Sequence, residues 1–247
     1  MPERYRIIRL TETGSTNKDA MRLALQGEPL PLWVVAERQT GGRGRQGRAW
    51  TSIPGNLHTT VAFSTSAPPE AAGQIALVAG LMLYDAVAAV AQFAASSPLR
   101  LKWPNDLLIG QEKVGGILVE STLTDAAGGT FVAVIGFGLN IVQAPELNRP
   151  VTYLGLHSNE ASSEILLATL AERCETWLDR WDGGRGFARI RSEWLTRGGT
   201  AGEPVTINTG NGRVTGTYQG LSATGALLVH VGDRLEEFNF GDVALGI

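Results

Sequence analysis

Cysteine, histidine and long uninterrupted apolar runs are all scarce in this 247-residue chain, and each shortage removes a class of function. Cys174 is the only cysteine, so an intramolecular disulfide is impossible and a zinc cluster lacks its usual sulfur ligands. A reducing, cytoplasmic compartment is expected. Histidine stands only at 58, 157 and 230, and G-x-S-x-G, H-E-x-x-H and C-x-x-C are missing, which argues against a covalent enzyme nucleophile. The P-loop pattern G-x-x-x-x-G-K-S/T is missing too, so any ATP is expected to be held by arginines and backbone amides. The first ten residues carry three arginines but no apolar signal core, and the most apolar run, Ile75 to Ala95, is interrupted by Gly80, Asp85 and Gln92. That run reads as a buried, Ala-rich helix, and no membrane partner is expected.

What is present is a globular composition. Hydrophobic residues make up 43% and charged residues 18%, well away from the corner where chains stay disordered. A net charge of −3 gives no global attraction to nucleic acid, so any anion site must be local.

A capping-box pattern at Thr16-Asn17-Lys18-Asp19 predicts a short helix stopped by Gly27. Leu32 to Ala36 and Leu57 to Ser64 read as strands on either side of a long, mobile loop, and Leu99 to Trp103 and Leu107 to Ile109 flank a corner at Pro104. Val114 to Glu120 and Thr130 to Ile141 add buried strands, which together imply an antiparallel or mixed sheet. Ser163 to Trp181 and Phe187 to Arg197 repeat apolar residues at helical spacing before Gly198, Gly199 and Gly202 break the pattern. Four short β-like runs follow, the first pair joined by a hairpin signal at Asn211-Gly212. The expected organisation is α+β: residues 1–199 as a main unit with helices flanking a sheet, and residues 200–247 as a small barrel of SH3-like size.

One segment stands out electrically. From 38 to 69 there is no Asp or Glu, while Arg43, Arg45 and Arg48 sit among Gly41, Gly42, Gly44 and Gly47. Glycines let backbone amides approach phosphate oxygens and guanidinium groups pair with phosphate or carboxylate in a bidentate way; an exposed, merely solvated loop is the competing explanation. Gly42 to Gly47 also fits G-x-G-x-x-G, but Ala49 to Pro54 does not read as the helix that a dinucleotide site requires.

Five blocks, in order, carry a wider resemblance: Ser15-Thr16-Asn17; Gln39 through Trp50; Lys102-Trp103-Pro104-Asn105-Asp106; Lys113-Val114-Gly115-Gly116-Ile117-Leu118-Val119-Glu120; and Gly136-Phe137-Gly138-Leu139-Asn140. Together they resemble the catalytic core of the biotin–protein ligases. The resemblance implies a class II synthetase-like catalytic domain with a small C-terminal β domain, and ATP-dependent adenylation of biotin followed by transfer to a lysine of a biotin carboxyl carrier protein. ATP and Mg2+ are the implied cofactors; no metal ligands are assigned.

The resemblance also implies roles. Biotin's ureido ring needs matching hydroxyl and amide partners, for which Ser15, Thr16, Asn17 and Gln39 are the candidates, with Gly42, Arg43, Arg45, Lys113, Gly115, Gly116 and Gly136 completing the biotin site. Arg43, Arg45, Arg48, Trp50, Asn105, Asp106, Lys113 and Asn140 are the nucleotide candidates. Lys113 and Arg45 would stabilise charge as the carboxylate attacks the α-phosphate. Trp50 offers a face for adenine or a staple for the loop, and Trp103-Pro104 a rigid corner. The glycines let ligand approach the strands or pack closely on a helix. Gln46 stands where related chains commonly carry arginine and Gly115 where they carry alanine or cysteine; the first puts adenylate retention in doubt.

Two rivals stay open: a lipoate or octanoate ligase or transferase on the same fold, and an RNA-binding module using the arginine loop. Only fourteen residues precede Ser15, too few for a helix-turn-helix, so no DNA partner is expected. A sheet edge is available to the acceptor by strand addition or to a second subunit in a homodimer.

Overall fold

The computed structural model describes residues 5–91, 99–124, 130–158, 160–210, 212–239 and 241–245. The chain runs β1 (Arg6–Thr13), α1 (Thr16–Leu25), β2 (Leu32–Gln39), β3 (Leu57–Thr65), α2 (Ile75–Ala91), β4 (Leu99–Lys102), β5 (Asp106–Ile109), β6 (Glu112–Leu123), β7 (Phe131–Leu139), α3 (Ser163–Trp181) and α4 (Phe187–Leu195). A second group follows: β8 (Pro204–Thr209), β9 (Gly212–Leu221), β10 (Leu227–Val231), β11 (Arg234–Phe238) and β12 (Asp242–Leu245).

The first seven strands form one sheet in the order β1-β2-β3-β7-β6-β5-β4. β1 lies parallel to β2 and the remaining neighbours are antiparallel, so the sheet is mixed. Alternation along the strands gives it two different faces. Trp33, Val61, Phe63, Ile135, Phe137 and Leu139 join the large core with α2, α3 and α4. Leu32, Val34, Ala62, Val132 and Val134 face the other way and pack with Ala20 of α1.

Helix α2 explains the apolar run. The stretch Pro69–Ala91 is long and apolar enough to cross a membrane, yet Leu77, Val78, Leu81, Met82, Leu83 and Val87 are buried within the main core. Each such aliphatic side chain contributes about 1.5–3 kcal/mol on leaving water. Residues 92–95 of the expected helix lie outside the described residues.

Three expectations are corrected. Ser15 occupies the N-cap of α1 but makes no side-chain cap bond. Thr16 hydroxyl donates to Gln39 instead (3.1 Å), and Asp19 accepts from the Thr13 hydroxyl. The capping box does not form because Thr16 and Asn17 are buried against the sheet. Second, the loop after β2 is folded: Arg43 bridges Ala49, Gly44 N–H donates to Arg48 O (2.7 Å) and Trp50 N–H to Gly42 O (2.9 Å). Third, the C-terminal sheet has five strands, order β11-β10-β9-β8-β12, because β12 resumes after a break at Gly241, whose φ is +141°. β11 and β12 end at opposite edges, so among the described residues the strand pairing of this antiparallel sheet does not close into a barrel. Asn211 of the hairpin signal lies outside the described residues; β8 and β9 close at Thr209 and Gly212.

The two sheets share one core, which includes Val205, Ile207, Leu221, Leu227 and Val229. Polar ties reinforce it: Leu101 N–H donates to Arg197 O (2.7 Å), Trp103 Nε1 to Gly225 O (3.2 Å) and Arg191 Nε to Leu221 O (2.8 Å).

Candidate active site

On the α1 face of the sheet, β3, β7 and β6 set a row of small residues beside each other: Thr60 opposite Gly136, and Gly116 opposite Gly138. Bare backbone there makes room for larger groups. A Cβ on Gly136 would collide with Asn17 Oδ1, one on Gly138 with the Trp50 ring, and one on Gly116 would lie 2.9 Å from Lys113 Nζ. The glycines thus seat the site's own side chains against the strands. Gly115 points to the opposite face, where its Cβ would lie 3.0 Å from Leu139 Cδ1 and 3.3 Å from Leu83 Cδ2; it is a close-packing glycine.

Above this floor opens a cavity of about 520 Å³, a size typical of small-molecule sites. Its wall includes Ser15, Thr16, Asn17, Gln39, Arg43, Arg45, Arg48, Trp50, Asn105, Asp106, Lys113, Gly116 and Gly136. Three of the sequence candidates are not in that wall: Gly42, Gly115 and Asn140. Gly42 is hemmed in by Trp50 O, 2.9 Å from where its Cβ would be. Asn140 donates to Thr152 O (3.0 Å) and faces a small side cavity with Trp50, Lys113 and Arg149.

One end of the cavity is neutral and polar. Gln39 Oε1 accepts from Thr16 N–H (2.9 Å), and Thr60 Oγ1 stands 2.8 Å from Thr16 Oγ1 and 2.7 Å from Asn17 Oδ1. Asn17 Nδ2 donates to Glu120 (2.8 Å) and Leu118 O (3.2 Å).

The other end is cationic. Arg43, Arg45 and Arg48 come from the loop, Lys102 and Lys113 from β4 and β6, and Arg149 from the segment after β7. Arg45 Nη1 lies 3.3 Å from Gly241 O and 3.5 Å from Asn105 Oδ1, which ties the loop to the C-terminal sheet and to the corner before β5. Asn105 Nδ2 donates to Ile117 O (2.7 Å). Asp106 is paired with Lys113 and with Lys102 (3.1 Å). Burial pushes the Asp106 carboxyl up, but the charges of Lys113 and Lys102 outweigh it and hold it below the usual carboxylate range. Burial lowers the Lys113 amine, and Asp106 is what chiefly opposes that fall.

Trp50 fills the gap over Gly116 and Gly138, with Lys113 Nζ 5.6 Å from its ring centroid. This packing fits the staple alternative, and the indole also lines the cavity.

Lys102, Thr60, Glu120, Arg149 and Asn208 were given no role from sequence. Lys102 opens one of the quoted blocks and Glu120 closes another, so their signal was present. Arg149 and Asn208 gave none, since Arg149 reaches the site only because Pro150 O accepts from Lys113 N–H (3.1 Å) and Lys113 O from Thr152 N–H (2.9 Å).

Fold and site together define an α+β catalytic unit with a cavity polar at one end and cationic at the other, joined to a small antiparallel β unit. The profile of the biotin/lipoate A/B protein ligase family matches residues 5–140, and that of the biotin protein ligase C-terminal domain matches residues 200–246. A biotin–acetyl-CoA-carboxylase ligase of Paracoccus denitrificans is 36% identical over 89% of this chain and 92% of its own length. One of Mycobacterium tuberculosis is 31% identical over 95% and 86%. The solved biotin protein ligase of Aquifex aeolicus in complex with biotin and ATP superposes with a TM-score of 0.78 at 26% identity, covering 98% of both chains. The chain belongs to the biotin/lipoate A/B protein ligase family.

Proposed function

We propose that the protein is an ATP-dependent biotin–protein ligase. The observation that carries this reading is the joining of a neutral hydroxyl–amide end and a cationic end in one cavity. Biotin has a ureido ring at one extremity and a carboxylate at the other, and ATP brings its own negative charge to the second end.

Chemistry follows from that placement. Thr16, Asn17 and Gln39 supply partners for the ureido N–H and carbonyl groups, exchanging bonds they now make to one another. A biotin carboxylate oxygen attacks the α-phosphorus, the bond to the bridging oxygen breaks, and pyrophosphate leaves with the electron pair. Lys113 and the loop arginines neutralise charge that grows on the phosphoryl oxygens. The acceptor lysine amine then attacks the acyl carbon, loses a proton and expels AMP. Both nucleophiles come from substrates, so the chain's work is orientation and charge stabilisation.

Asp106 does not fit a resident magnesium site, since two lysines already neutralise it. Among the described residues no group of three or more His, Cys, Asp or Glu side chains comes together to hold a metal. Magnesium belongs with ATP as its substrate complex. The acceptor is a biotin carboxyl carrier protein, the working compartment is the cytoplasm, and residues 1–199 and 200–247 form the catalytic and C-terminal units. An exposed sheet edge suits either the acceptor or a second subunit.

A lipoate or octanoate ligase is the rival, because the family includes both chemistries. The polar end favours biotin: an alkyl or dithiolane tail leaves Thr16, Thr60 and Gln39 without ligand partners. Incubation with ATP, magnesium and biotin, with lipoate and octanoate in parallel, tests the choice by mass spectrometry of acyl-AMP. Biotinyl-AMP from wild type, lost in Lys113→Ala and Arg45→Ala, supports the reading; adenylation of lipoate or octanoate alone refutes it.

A further inference from the structure

Glu120 closes the Lys113–Glu120 block, yet the mechanism above leaves it unused. Its two carboxylate oxygens serve two different residues of the cavity wall. Oε2 accepts from Asn17 Nδ2 (2.8 Å), and Oε1 lies 3.2 Å from Arg43 Nη2. Asn17 Oδ1 accepts from the Thr60 hydroxyl, whose oxygen lies 2.8 Å from that of Thr16, and Thr16 N–H donates to Gln39 Oε1 (2.9 Å). One hydrogen-bonded chain therefore runs from a cation of the arginine loop to the polar end of the cavity, with a single carboxylate as its joint.

A positive loop needs an anchor of opposite sign, because Arg43, Arg45 and Arg48 repel one another and residues 38–69 contain no acid. Glu120 supplies it from β6, which pairs with β7 from Gly115 to Leu123. Asn17 sits at the start of α1, fixed beside Gly136. The carboxylate thus holds Arg43 in register with the groups that face the ureido ring.

We infer that Glu120 is a positioning residue, which orients Arg43 and Asn17 so that the acyl-adenylate is formed and retained. This rests on the adenylation reading. Glu120 need touch neither substrate; it acts through the two side chains it joins.

Glu120→Gln is the informative change, because the amide oxygen still accepts from Asn17 while the charge facing Arg43 disappears. The rate of biotinyl-AMP formation at saturating substrates falls, and release of the adenylate, followed by chase with excess unlabelled biotin, speeds up. Each changes about threefold to tenfold, the scale of a half-exposed charge pair reinforced by an oriented amide. KM for biotin stays close to wild type and so does the unfolding midpoint. In an Arg43→Ala background the same substitution adds nothing further, and Glu120→Asp, which keeps the charge, recovers part of the loss.

Wild-type rates in Glu120→Gln, or full additivity with Arg43→Ala, overturn the inference. If Glu120→Gln also lowers the midpoint, Glu120→Asp decides: recovery of the midpoint without recovery of adenylate retention overturns it. Absence of biotinyl-AMP from wild type in the same assay removes the adenylation reading itself, and this inference with it.

Discussion

Replacing Asp106 by asparagine removes the carboxylate that Lys113 and Lys102 share. Asp106 and Lys113 are both largely buried, with side chains 11% and 13% exposed. Two unit charges about 4 Å apart at an effective dielectric near 20 attract by about 4 kcal/mol. Stripping one partner from a buried pair costs about 3–5 kcal/mol because the other charge is left behind. Two effects follow. Conformational stability falls by about 3 kcal/mol, read by urea unfolding. The protonated form of Lys113 also loses its chief support, for burial already lowers that amine and Asp106 is what opposes it. The alkaline limb of the pH profile for biotinyl-AMP formation therefore moves to lower pH in Asp106→Asn, while activity near neutrality is the better preserved. An alkaline limb that coincides with wild type refutes the role given to Lys113, even if stability drops as expected.

Lys113→Ala removes a charge donor at the α-phosphate and lowers the adenylation rate by about 10²–10³-fold, with a smaller effect on biotin affinity measured by calorimetry. Gly138→Ala places a methyl group into the Trp50 ring and destabilises by about 1–3 kcal/mol, with faster protease cleavage between residues 41 and 55; unchanged cleavage contradicts the staple role. Gln46→Arg restores a cation to the loop and slows adenylate release by about twofold to fivefold in the same chase assay, the scale of an exposed charge pair. Burial holds His58 down at about 4 against weaker backbone contacts at Ala36 and Glu37. Its unfolded form takes up a proton near 6.5 while the folded form does not, so about 3 kcal/mol of stability is lost as pH falls from 6.5 to 4. His58→Leu flattens that decline in urea midpoints measured across the window; an equal slope in both proteins counts against it.

Local pattern made much of this molecule readable. Helix α3 spans Ser163–Trp181 as the apolar spacing indicates, and strands β2 through β7 fall on the apolar runs. These assignments succeed because each element buries one face and writes the period of that face into its residues. The arginine loop was legible for a different reason: glycine and arginine concentrated without acid is a local electrostatic fact. The ending of the C-terminal sheet was not legible, because β12 is short and its place is set by pairing with β8 rather than by its own composition.

The sequence by itself therefore determined the family, the order of elements from α1 to α4 and most of the polar residues that line the cavity, since motifs and periodicity are properties of neighbours along the chain. Tertiary structure decided how those residues share the work. It set Ser15 and Thr16 in the cavity wall without the side-chain cap bond, gave Gly116, Gly136 and Gly138 to the site's own side chains, and separated Gly115 and Asn140 from the main cavity. It also brought in Arg149, and it set Glu120 between Arg43 and Asn17, which are 77 and 103 residues away along the chain. Only the closing of the sheet makes them neighbours, because hydrogen bonds and ion pairs act over ångströms in space and are indifferent to distance along the sequence.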